Sequence, residues 1–212
     1  TLINLIELTG VKKTLELLNG MFAFAAWDNK ENLLYLARDR LGEKPLFYGN
    51  IEKSFFFSSE IGPFELHPKW KGEIDKNSLC DFMRYGNIPS PKSIYKDIHK
   101  LEPGHYLEIS NYGRRVKKNN YWDKNEKLLS TKKLASPSKE ETIEQFNYLL
   151  NDSIKKRMLS DKPIGAFLSG GIDSSLIASH MQSVSTKPIS TFTVGVHDKD
   201  FDESSYSKKI AK

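Results

Sequence analysis

The sequence predicts a mixed α/β protein, and three patterns indicate this fold class. An apolar, strand-sized run at Met21–Trp27 is followed by a polar turn and a second strand at Leu33–Arg38, which together predict a hairpin. Further along, a short apolar strand at Ile164–Leu168 leads through a glycine turn into a helix and then to a β-branched strand at Ile189–Val196. A strand, loop, helix and strand in this order are typical of a parallel sheet covered by helices.

Two short helices are predicted ahead of the hairpin. Apolar residues recur at helical spacing in residues 1–18, and Gly10 lies where a first helix would stop. The Met21–Trp27 strand is apolar throughout, which predicts burial on both of its faces. Two more strands complete an α+β unit that ends near Ile61, and they are predicted at Leu46–Tyr48 and Phe55–Phe57 on either side of Gly49-Asn50.

Residues 62–140 are less regular, because prolines interrupt them repeatedly. A helix is predicted at Ser78–Tyr85, and strands are predicted at His105–Ile109 and in the segment before Trp122. Asp123–Pro137 is polar and typical of a linker.

A new unit is predicted from Ser138 onward. Ser138 and Glu141 fit a capping box, in which each side chain binds the backbone amide of the other residue at a helix start. The glycine turn is predicted at Ser169–Asp173 and its helix at Ser174–Gln182. Apolar residues at helical spacing predict one buried face on the first helix of this unit, formed by Ile143, Phe146, Leu150 and Ile154.

Charge, apolar runs and cysteine content argue against a nucleic-acid-binding, membrane-spanning or secreted protein. The chain of 212 residues has a formal net charge of +5, but its lysines are scattered and form no basic stripe with aromatic residues, so no nucleic-acid partner is predicted. No apolar run approaches the ~20 residues that span a membrane, and the first residues lack the pattern of a secretory signal. Cys80 is the sole cysteine, so no intrachain disulfide can form, which favours a cytoplasmic location.

The residues with the clearest chemistry are Ser169–Ser175, which read Ser-Gly-Gly-Ile-Asp-Ser-Ser. Paired glycines allow a tight turn and the close approach of a ligand, and the following helix directs free amides and the positive end of its dipole toward the loop. The three serine hydroxyls add donors, and each hydrogen bond to a charged oxygen contributes on the order of 1.5–3 kcal/mol. Asp173 would repel phosphates unless a divalent cation lay between them, and Mg²⁺ prefers such oxygen ligands. The pattern predicts a pyrophosphate site.

Other loop motifs do not fit these residues. A Walker A loop requires a lysine that is absent, and a dinucleotide fingerprint requires three spaced glycines. A nucleophile elbow requires glycine at the position that Phe167 occupies. A plain glycine turn is the simpler alternative, but such a turn needs neither the serines nor the aspartate.

The loop resembles the pyrophosphate loop of the N-type ATP pyrophosphatases, a family that includes asparagine synthetase, GMP synthetase and argininosuccinate synthetase. Other segments resemble a class II glutamine amidotransferase joined to such a loop, which is the layout of the asparagine synthetase family. Glu102 stands where that family usually has proline. The matching segments are Leu18–Ala25, Ala37–Tyr48, Ser58–Ile61, Leu101–Tyr106, Ser190–Val196 and Phe201–Ser204.

The resemblance implies the domain organisation. Residues 1–62 would be the C-terminal part of an N-terminal-nucleophile amidotransferase domain, an αββα sandwich. Residues 63–140 would connect it to residues 141–212, the first part of a parallel-sheet domain resembling adenine-nucleotide hydrolases. The sequence is accordingly expected to be an internal fragment.

The resemblance also implies an activity. Aspartate, glutamine-derived ammonia and ATP would give asparagine, AMP and pyrophosphate through β-aspartyl-AMP, with Mg²⁺ bound at Asp173 and with a homodimer as a possible assembly. The backbones of Leu168 and Val194 would border the adenosine, and Glu203 would lie near the substrate. The phosphates would be held by Ser169, Gly170, Gly171, Asp173, Ser174 and Ser175.

Some residues are expected to have no catalytic role. The family's glutaminase nucleophile is an N-terminal cysteine, which Thr1 does not replace, and Cys80 is predicted to be a core residue. The isolated chain is therefore expected neither to hydrolyse glutamine nor to make asparagine. Arg38 and Asp39 are interpreted as a structural ion pair or interface residues, and His105 as a packing residue, since the histidines lack metal-ligand spacing.

Two other functions remain open at this stage. A β-lactam-forming synthetase uses the same layout with an internal amine in place of ammonia. A nucleotide-binding or regulatory remnant would keep the loop without the reaction.

Overall fold

The computed structural model describes residues 1–125, 137–198 and 202–212. They fall into two compact units, an N-terminal unit of Thr1–Lys133 and a C-terminal unit of Leu134–Lys212. Both units combine helices with sheets, so the predicted mixed α/β class is confirmed. Most of the predicted linker Asp123–Pro137, and Phe201 of the last matching segment, lie outside the described residues.

The N-terminal unit begins with the two predicted helices, α1 (Leu2–Thr9) and α2 (Val11–Leu17). Gly10 separates them with a φ of 79°, a value that glycine adopts without strain. Val11 and Leu15 of α2 are buried in a cluster with Ala37, Tyr106 and Tyr121. The apolar spacing in this segment therefore positions α2 on the core.

A four-stranded antiparallel sheet contains the predicted hairpin. Its strands are β1 (Ala23–Asp28), β2 (Leu33–Arg38), β6 (His105–Ser110) and β7 (Arg115–Asn120), in the order β1-β2-β6-β7. The hairpin register pairs Ala23 with Arg38 and Asp28 with Leu33. The strands predicted at His105–Ile109 and before Trp122 are likewise confirmed, and both belong to this sheet.

The predicted burial of the first strand on both faces is wrong. The side chains of Met21 and Trp27 are 48% and 58% exposed, and Met21 precedes the strand. β1 is an edge strand of its sheet, and Phe22 and Phe24 pack against the cluster that contains Val11 and Leu15. An edge strand with one covered face leaves its remaining apolar side chains in contact with water.

A second sheet contains β3 (Phe47–Ile51), β4 (Ser54–Ser58) and β5 (Ile98–Lys100), in the order β4-β3-β5. The predicted break at Gly49-Asn50 is wrong, because both residues lie inside β3. A Cβ atom at Gly49 would lie 2.1 Å from the carbonyl oxygen of Asp97, so glycine serves close strand approach rather than a turn. Residues 62–140 contribute β5 to this sheet and β6 and β7 to the first sheet, so the prolines of this region do not prevent strand formation.

Two further helices follow β4, the short α3 (Gly62–Glu65) and α4 (Lys76–Tyr85). The predicted helix at Ser78–Tyr85 is confirmed, and Asp75 caps it by accepting hydrogen bonds from the amides of Asn77 and Ser78. Cys80 lies on α4 and is exposed, so its predicted place in the core is wrong. Its apolar neighbours Leu79 and Phe82 are also exposed, which explains why sequence context misplaced it.

The C-terminal unit begins with α5 (Lys139–Arg157), and its predicted capping box is present in full. The predicted buried face is only partly confirmed. Ile154 is buried, but Ile143 and Phe146 are about half exposed, at 50% and 53%. Only the C-terminal half of α5 packs on the small core of this unit, where Ile154 contacts the cluster of Ala166 and Met181.

The remaining elements form the predicted strand, helix and strand. They are β8 (Gly165–Phe167), α6 (Ile172–Val184), β9 (Ser190–Phe192) and α7 (Ser204–Ile210). β8 and β9 pair in parallel, as predicted. The predicted strand to Val196 is too long, because regular pairing ends at Phe192. Among the described residues, no helix is long and apolar enough to cross a membrane.

Candidate functional site

The predicted phosphate loop lies between the end of β8 and the start of α6. Ala166 and Leu168 are buried beneath it, whereas Ser169 and Gly171 are exposed. The amide of Leu168 donates to the carbonyl oxygen of Phe192 at 2.8 Å, which extends the parallel pairing to the residue that immediately precedes the turn. The loop therefore occupies the carboxyl end of a strand in a parallel sheet, where ligands of α/β proteins commonly bind.

The two glycines of the loop have different roles. Gly170 has a φ of +88°, and a Cβ atom there would lie 2.8 Å from the Cβ atom of Tyr206. Gly171 has a φ of −72°, and its nearest contact would be the hydroxyl of Ser169 at 3.4 Å. Only Gly170 needs glycine for backbone conformation and for space.

Serine hydroxyls connect the two ends of the loop. The hydroxyls of Ser169 and Ser174 are 2.9 Å apart, and the amide of Ser169 lies 3.3 Å from the Ser174 hydroxyl oxygen. The hydroxyl of Ser175 donates to the carbonyl oxygen of Gly171 at 2.6 Å. These bonds hold Ser169 above the first turn of α6, so that the predicted residues lie together.

The first turn of α6 has the properties of an anion site. Gly171 is the N-cap and has no side chain to bind the first amides of the helix. α6 contains 13 residues, so its dipole places partial positive charge at this end. Anions are stabilised at such a position by the free amides and the dipole together.

Asp173 lies in the first turn of α6 and is exposed. Across the described residues, no group of three or more histidine, cysteine, aspartate or glutamate side chains forms a metal cage. A cation at Asp173 would therefore need oxygen ligands from a bound phosphate or from water, which matches the coordination habit of Mg²⁺. The same argument explains why a carboxylate fits beside an anion site.

Leu168 and Val194, predicted to border adenosine, are placed differently. Leu168 is 1% exposed, and its carbonyl oxygen accepts from the hydroxyls of Thr193 at 2.7 Å and Ser207 at 3.0 Å. Val194 follows β9 and is 76% exposed. Leu168 thus has both backbone groups bonded within the protein, whereas Val194 is the one open to a ligand.

The first turns of α7 also lie beside the loop. Glu203 is the N-cap residue of α7, and Tyr206 and Ser207 lie near Gly170. The amide and hydroxyl of Ser204 donate to the carboxylate of Asp202 and hold the pKa of Asp202 below its ordinary value. Sequence reasoning gave no role to Thr193 or Ser207, because their contacts with Leu168 join segments that are distant in the sequence.

Arg38 and Asp39 in the N-terminal unit are structural, but they are not an ion pair in the described part of the chain. Asp39 is buried, and its carboxylate accepts from four backbone amides, including that of Phe22. The guanidinium of Arg38 donates to the carbonyl oxygens of Lys44, Leu101 and Gly42. The two side chains therefore fix the backbone around residues 38–44.

Comparison with protein families matches both units. A glutamine amidotransferase domain model matches residues 1–122, and an asparagine synthase model matches residues 145–212. Among solved structures, an allosteric regulatory enzyme of purine biosynthesis covers 93% of this chain and 38% of its own at 16% identity, with a TM-score of 0.37. That likeness is too weak to carry an argument.

Curated relatives give the same result. Asparagine synthetase [glutamine-hydrolyzing] 3 of Bacillus subtilis is 36% identical over 188 residues, which cover 86% of this chain and 29% of that protein. Asparagine synthetase [glutamine-hydrolyzing] 2 of the same organism is 36% identical over 82% of this chain and 24% of its own length. Amidase chyE of Penicillium rubens is 36% identical over 76% of this chain and 23% of its own.

The chain spans between about a quarter and a third of the length of these relatives. Its two family matches follow one another in the order amidotransferase, then asparagine synthase. The chain therefore belongs to the glutamine amidotransferase domain family, in the branch that joins this domain to an asparagine synthase domain as in the glutamine-hydrolysing asparagine synthetases.

Proposed function

We propose that this chain serves ATP-dependent amide formation, in which aspartate, glutamine, water and ATP give asparagine, glutamate, AMP and pyrophosphate. The observation that carries the proposal is the loop Ser169–Ser175, which joins the end of a parallel strand to an uncapped helix start. An ATP phosphate chain is the ligand that the free amides, serine hydroxyls and helix dipole suit best.

The reaction consists of two displacements. An oxygen of the aspartate side-chain carboxylate attacks the α-phosphorus of ATP, and the bond between the α-phosphorus and its bridging oxygen breaks to release pyrophosphate. The nitrogen of glutamine-derived ammonia then attacks the carbonyl carbon of β-aspartyl-AMP, and AMP departs with the bonding electron pair. A proton is lost from the nitrogen as the amide forms.

Residues of the loop would act mainly on the leaving group. The backbone at Gly170 and Gly171 permits close approach. The hydroxyls of Ser169, Ser174 and Ser175 would turn from their partners within the loop to donate to phosphate oxygens as charge grows on pyrophosphate. Asp173 would hold Mg²⁺ against those oxygens, and the ion would supply neutralisation of the developing negative charge. The backbones of Leu168 and Val194 would border the adenosine, and the bonds to the Leu168 carbonyl oxygen would also hold the loop.

The finer fold assignment is part of the same proposal. Residues 1–122 match the amidotransferase model and would belong to an αββα sandwich, because strands beyond residue 62 complete both sheets of the N-terminal unit. Residues 145–212 would belong to an adenine-nucleotide hydrolase-like domain. We also propose a cytoplasmic protein that acts on small molecules and assembles as a homodimer.

The 212-residue chain by itself would be inactive in both half-reactions. Its sole cysteine, Cys80, lies within α4 rather than at a chain start, so it is not placed as the family's nucleophile. Glutamate release from glutamine, measured on the purified chain with a coupled dehydrogenase assay, should stay at the buffer rate. Sustained turnover would refute this part of the proposal.

Replacement of Asp173 tests the functional assignment. In a full-length protein that contains this sequence, Asp173→Ala should lower asparagine and pyrophosphate formation at least ~10²-fold, because the leaving group loses its metal contact. Glutaminase activity should persist, since the change lies outside the amidotransferase domain. Asp161→Ala, another exposed carboxylate of the C-terminal unit, is the matched control and should leave both rates unchanged.

Equal loss of both activities in Asp173→Ala would contradict the assignment. The same assays separate the alternatives. Pyrophosphate release that needs neither aspartate nor ammonia would favour a β-lactam-forming relative that uses an internal amine. ATP binding without any pyrophosphate release would favour a nucleotide-binding remnant.

A further inference from the structure

Two hydroxyl groups outside the phosphate loop converge on one carbonyl oxygen at its base. Thr193 follows β9, and Ser207 lies on α7. Their hydroxyl oxygens are 2.7 Å and 3.0 Å from the carbonyl oxygen of Leu168. The contact thus joins the end of β8 to two segments that follow it much later in the sequence.

The proton of the Ser207 hydroxyl can be assigned by counting acceptors. The hydroxyl also lies 3.2 Å from the carbonyl oxygen of Glu203, but that oxygen already accepts from the amides of Tyr206 and Ser207. A carbonyl oxygen has two lone pairs, so the Glu203 acceptor is filled. The single hydroxyl proton therefore points to Leu168, which is also the nearer acceptor.

Leu168 is fully bonded as a result. Its amide donates to the carbonyl oxygen of Phe192 at 2.8 Å, and its own carbonyl oxygen holds one hydroxyl on each lone pair. Leu168 is 1% exposed, and Ser207 is 2% exposed. The bond from Ser207 is therefore shielded from competing water, whereas the bond from Thr193, an exposed residue, is only partly buried.

The two hydroxyls hold the peptide group between Leu168 and Ser169, which is the last one fixed before the loop turns. Ser169 follows directly, and Gly170 packs against the same helix, since a Cβ atom at Gly170 would lie 3.2 Å from the amide nitrogen of Ser207. A rotation of the Leu168 carbonyl would move Ser169 and the paired glycines together. The direction of the loop amides thus depends on the two hydroxyls.

We infer that Thr193 and Ser207 are positioning residues that preorganise the phosphate-binding loop by clamping the Leu168 carbonyl. The inference rests on the proposed function, because it assumes that the loop binds phosphates. Positioning within a fraction of an ångström is what a preorganised site requires.

The test uses the 212-residue chain and magnesium pyrophosphate as the probe, with binding followed by isothermal titration calorimetry. Thr193→Val keeps the shape of the side chain but removes its hydroxyl, and Ser207→Ala removes the other. Each should weaken pyrophosphate binding roughly two- to tenfold, the range expected for one neutral hydrogen bond. Thr193→Ser keeps the hydroxyl, and this variant should bind pyrophosphate within about twofold of the unchanged chain.

A stability control separates positioning from general loosening. Ile154→Val trims the core of the C-terminal unit away from the loop and should lower the melting temperature without weakening pyrophosphate binding. Equal weakening by Ile154→Val, or failure of Thr193→Ser to recover binding, would overturn the inference.

The remaining outcomes are also decisive. Undiminished binding by both Thr193→Val and Ser207→Ala would overturn the clamp while leaving the proposed function standing. No pyrophosphate binding by the unchanged chain would instead count against the proposed function.

Discussion

The two units of the chain are stabilised in different ways. In the N-terminal unit, two sheets enclose clusters of buried side chains, and Leu36, Leu101 and Leu107 are fully buried. In the C-terminal unit, the described strands are only three residues long, and the apolar cluster centres on Ile154, Ala166 and Met181. Apolar burial therefore fixes the first unit, whereas hydroxyl and backbone hydrogen bonds shape the functional loop of the second.

The largest effect is expected when a buried side chain of the N-terminal unit is truncated and the loss of stability is compared with that in the C-terminal unit. Leu107→Ala should lower the free energy of unfolding of the N-terminal unit by about 2–5 kcal/mol, because a fully buried leucine leaves a cavity. Phe146→Ala in the C-terminal unit should cost less than ~1 kcal/mol, since that side chain is about half exposed. Denaturant unfolding of both variants measures the difference, and similar losses would contradict it.

A smaller effect comes from Asp39. Burial alone would raise the pKa of its carboxyl, but four backbone amides outweigh burial and hold the pKa below its ordinary value. The resulting stability is present above the unfolded pKa, near 3.9, and is lost as the pH falls through the lower folded value. Asp39→Asn should cost roughly 1–3 kcal/mol at pH 7.

Denaturant unfolding between pH 2 and pH 7 checks this prediction. The loss caused by Asp39→Asn should shrink toward acid pH, because the unchanged chain then loses the charge as well. Asp97→Asn is the control, since Asp97 is an exposed residue at a φ of 63° that asparagine tolerates. A pH-independent loss for Asp39→Asn would contradict the role assigned to its charge.

Much of this fold was accessible from the sequence. The hairpin, the capping box at Ser138 and the parallel strand pair follow from local patterns, and each is confirmed. The predictions that Met21–Trp27 is buried on both faces and that Cys80 lies in the core are wrong, because burial depends on which tertiary elements cover a face. Gly49 was misread for a related reason, since its constraint comes from the distant Asp97.

The sequence motif of the candidate site could be predicted, but the hydrogen bonds that hold its loop could not. Ser169–Ser175 could be recognised because glycines and hydroxyls are adjacent in sequence. The bonds from Thr193 and Ser207 to Leu168 could not, since they join residues that are 25 and 39 positions apart. Such contacts become visible only when a fold brings the segments together.

The two loop glycines provide the sharpest test of the phosphate site. Gly170→Ala places a Cβ atom 2.8 Å from Tyr206 at a φ of +88°, so the loop must distort. Gly171→Ala meets only the Ser169 hydroxyl at 3.4 Å, at a φ that alanine adopts freely. The two substitutions are at adjacent positions of the same loop, so a difference in pyrophosphate affinity between them reports on the loop conformation.

The most direct measurement is calorimetric titration of the chain and both variants with pyrophosphate, with and without Mg²⁺. We predict Mg²⁺-dependent binding by the unchanged chain, affinity within about threefold for Gly171→Ala, and at least tenfold weaker binding for Gly170→Ala, equivalent to ~1.4 kcal/mol. Absence of pyrophosphate binding by the unchanged chain, or equal binding by both variants, would contradict the phosphate-binding role of this loop.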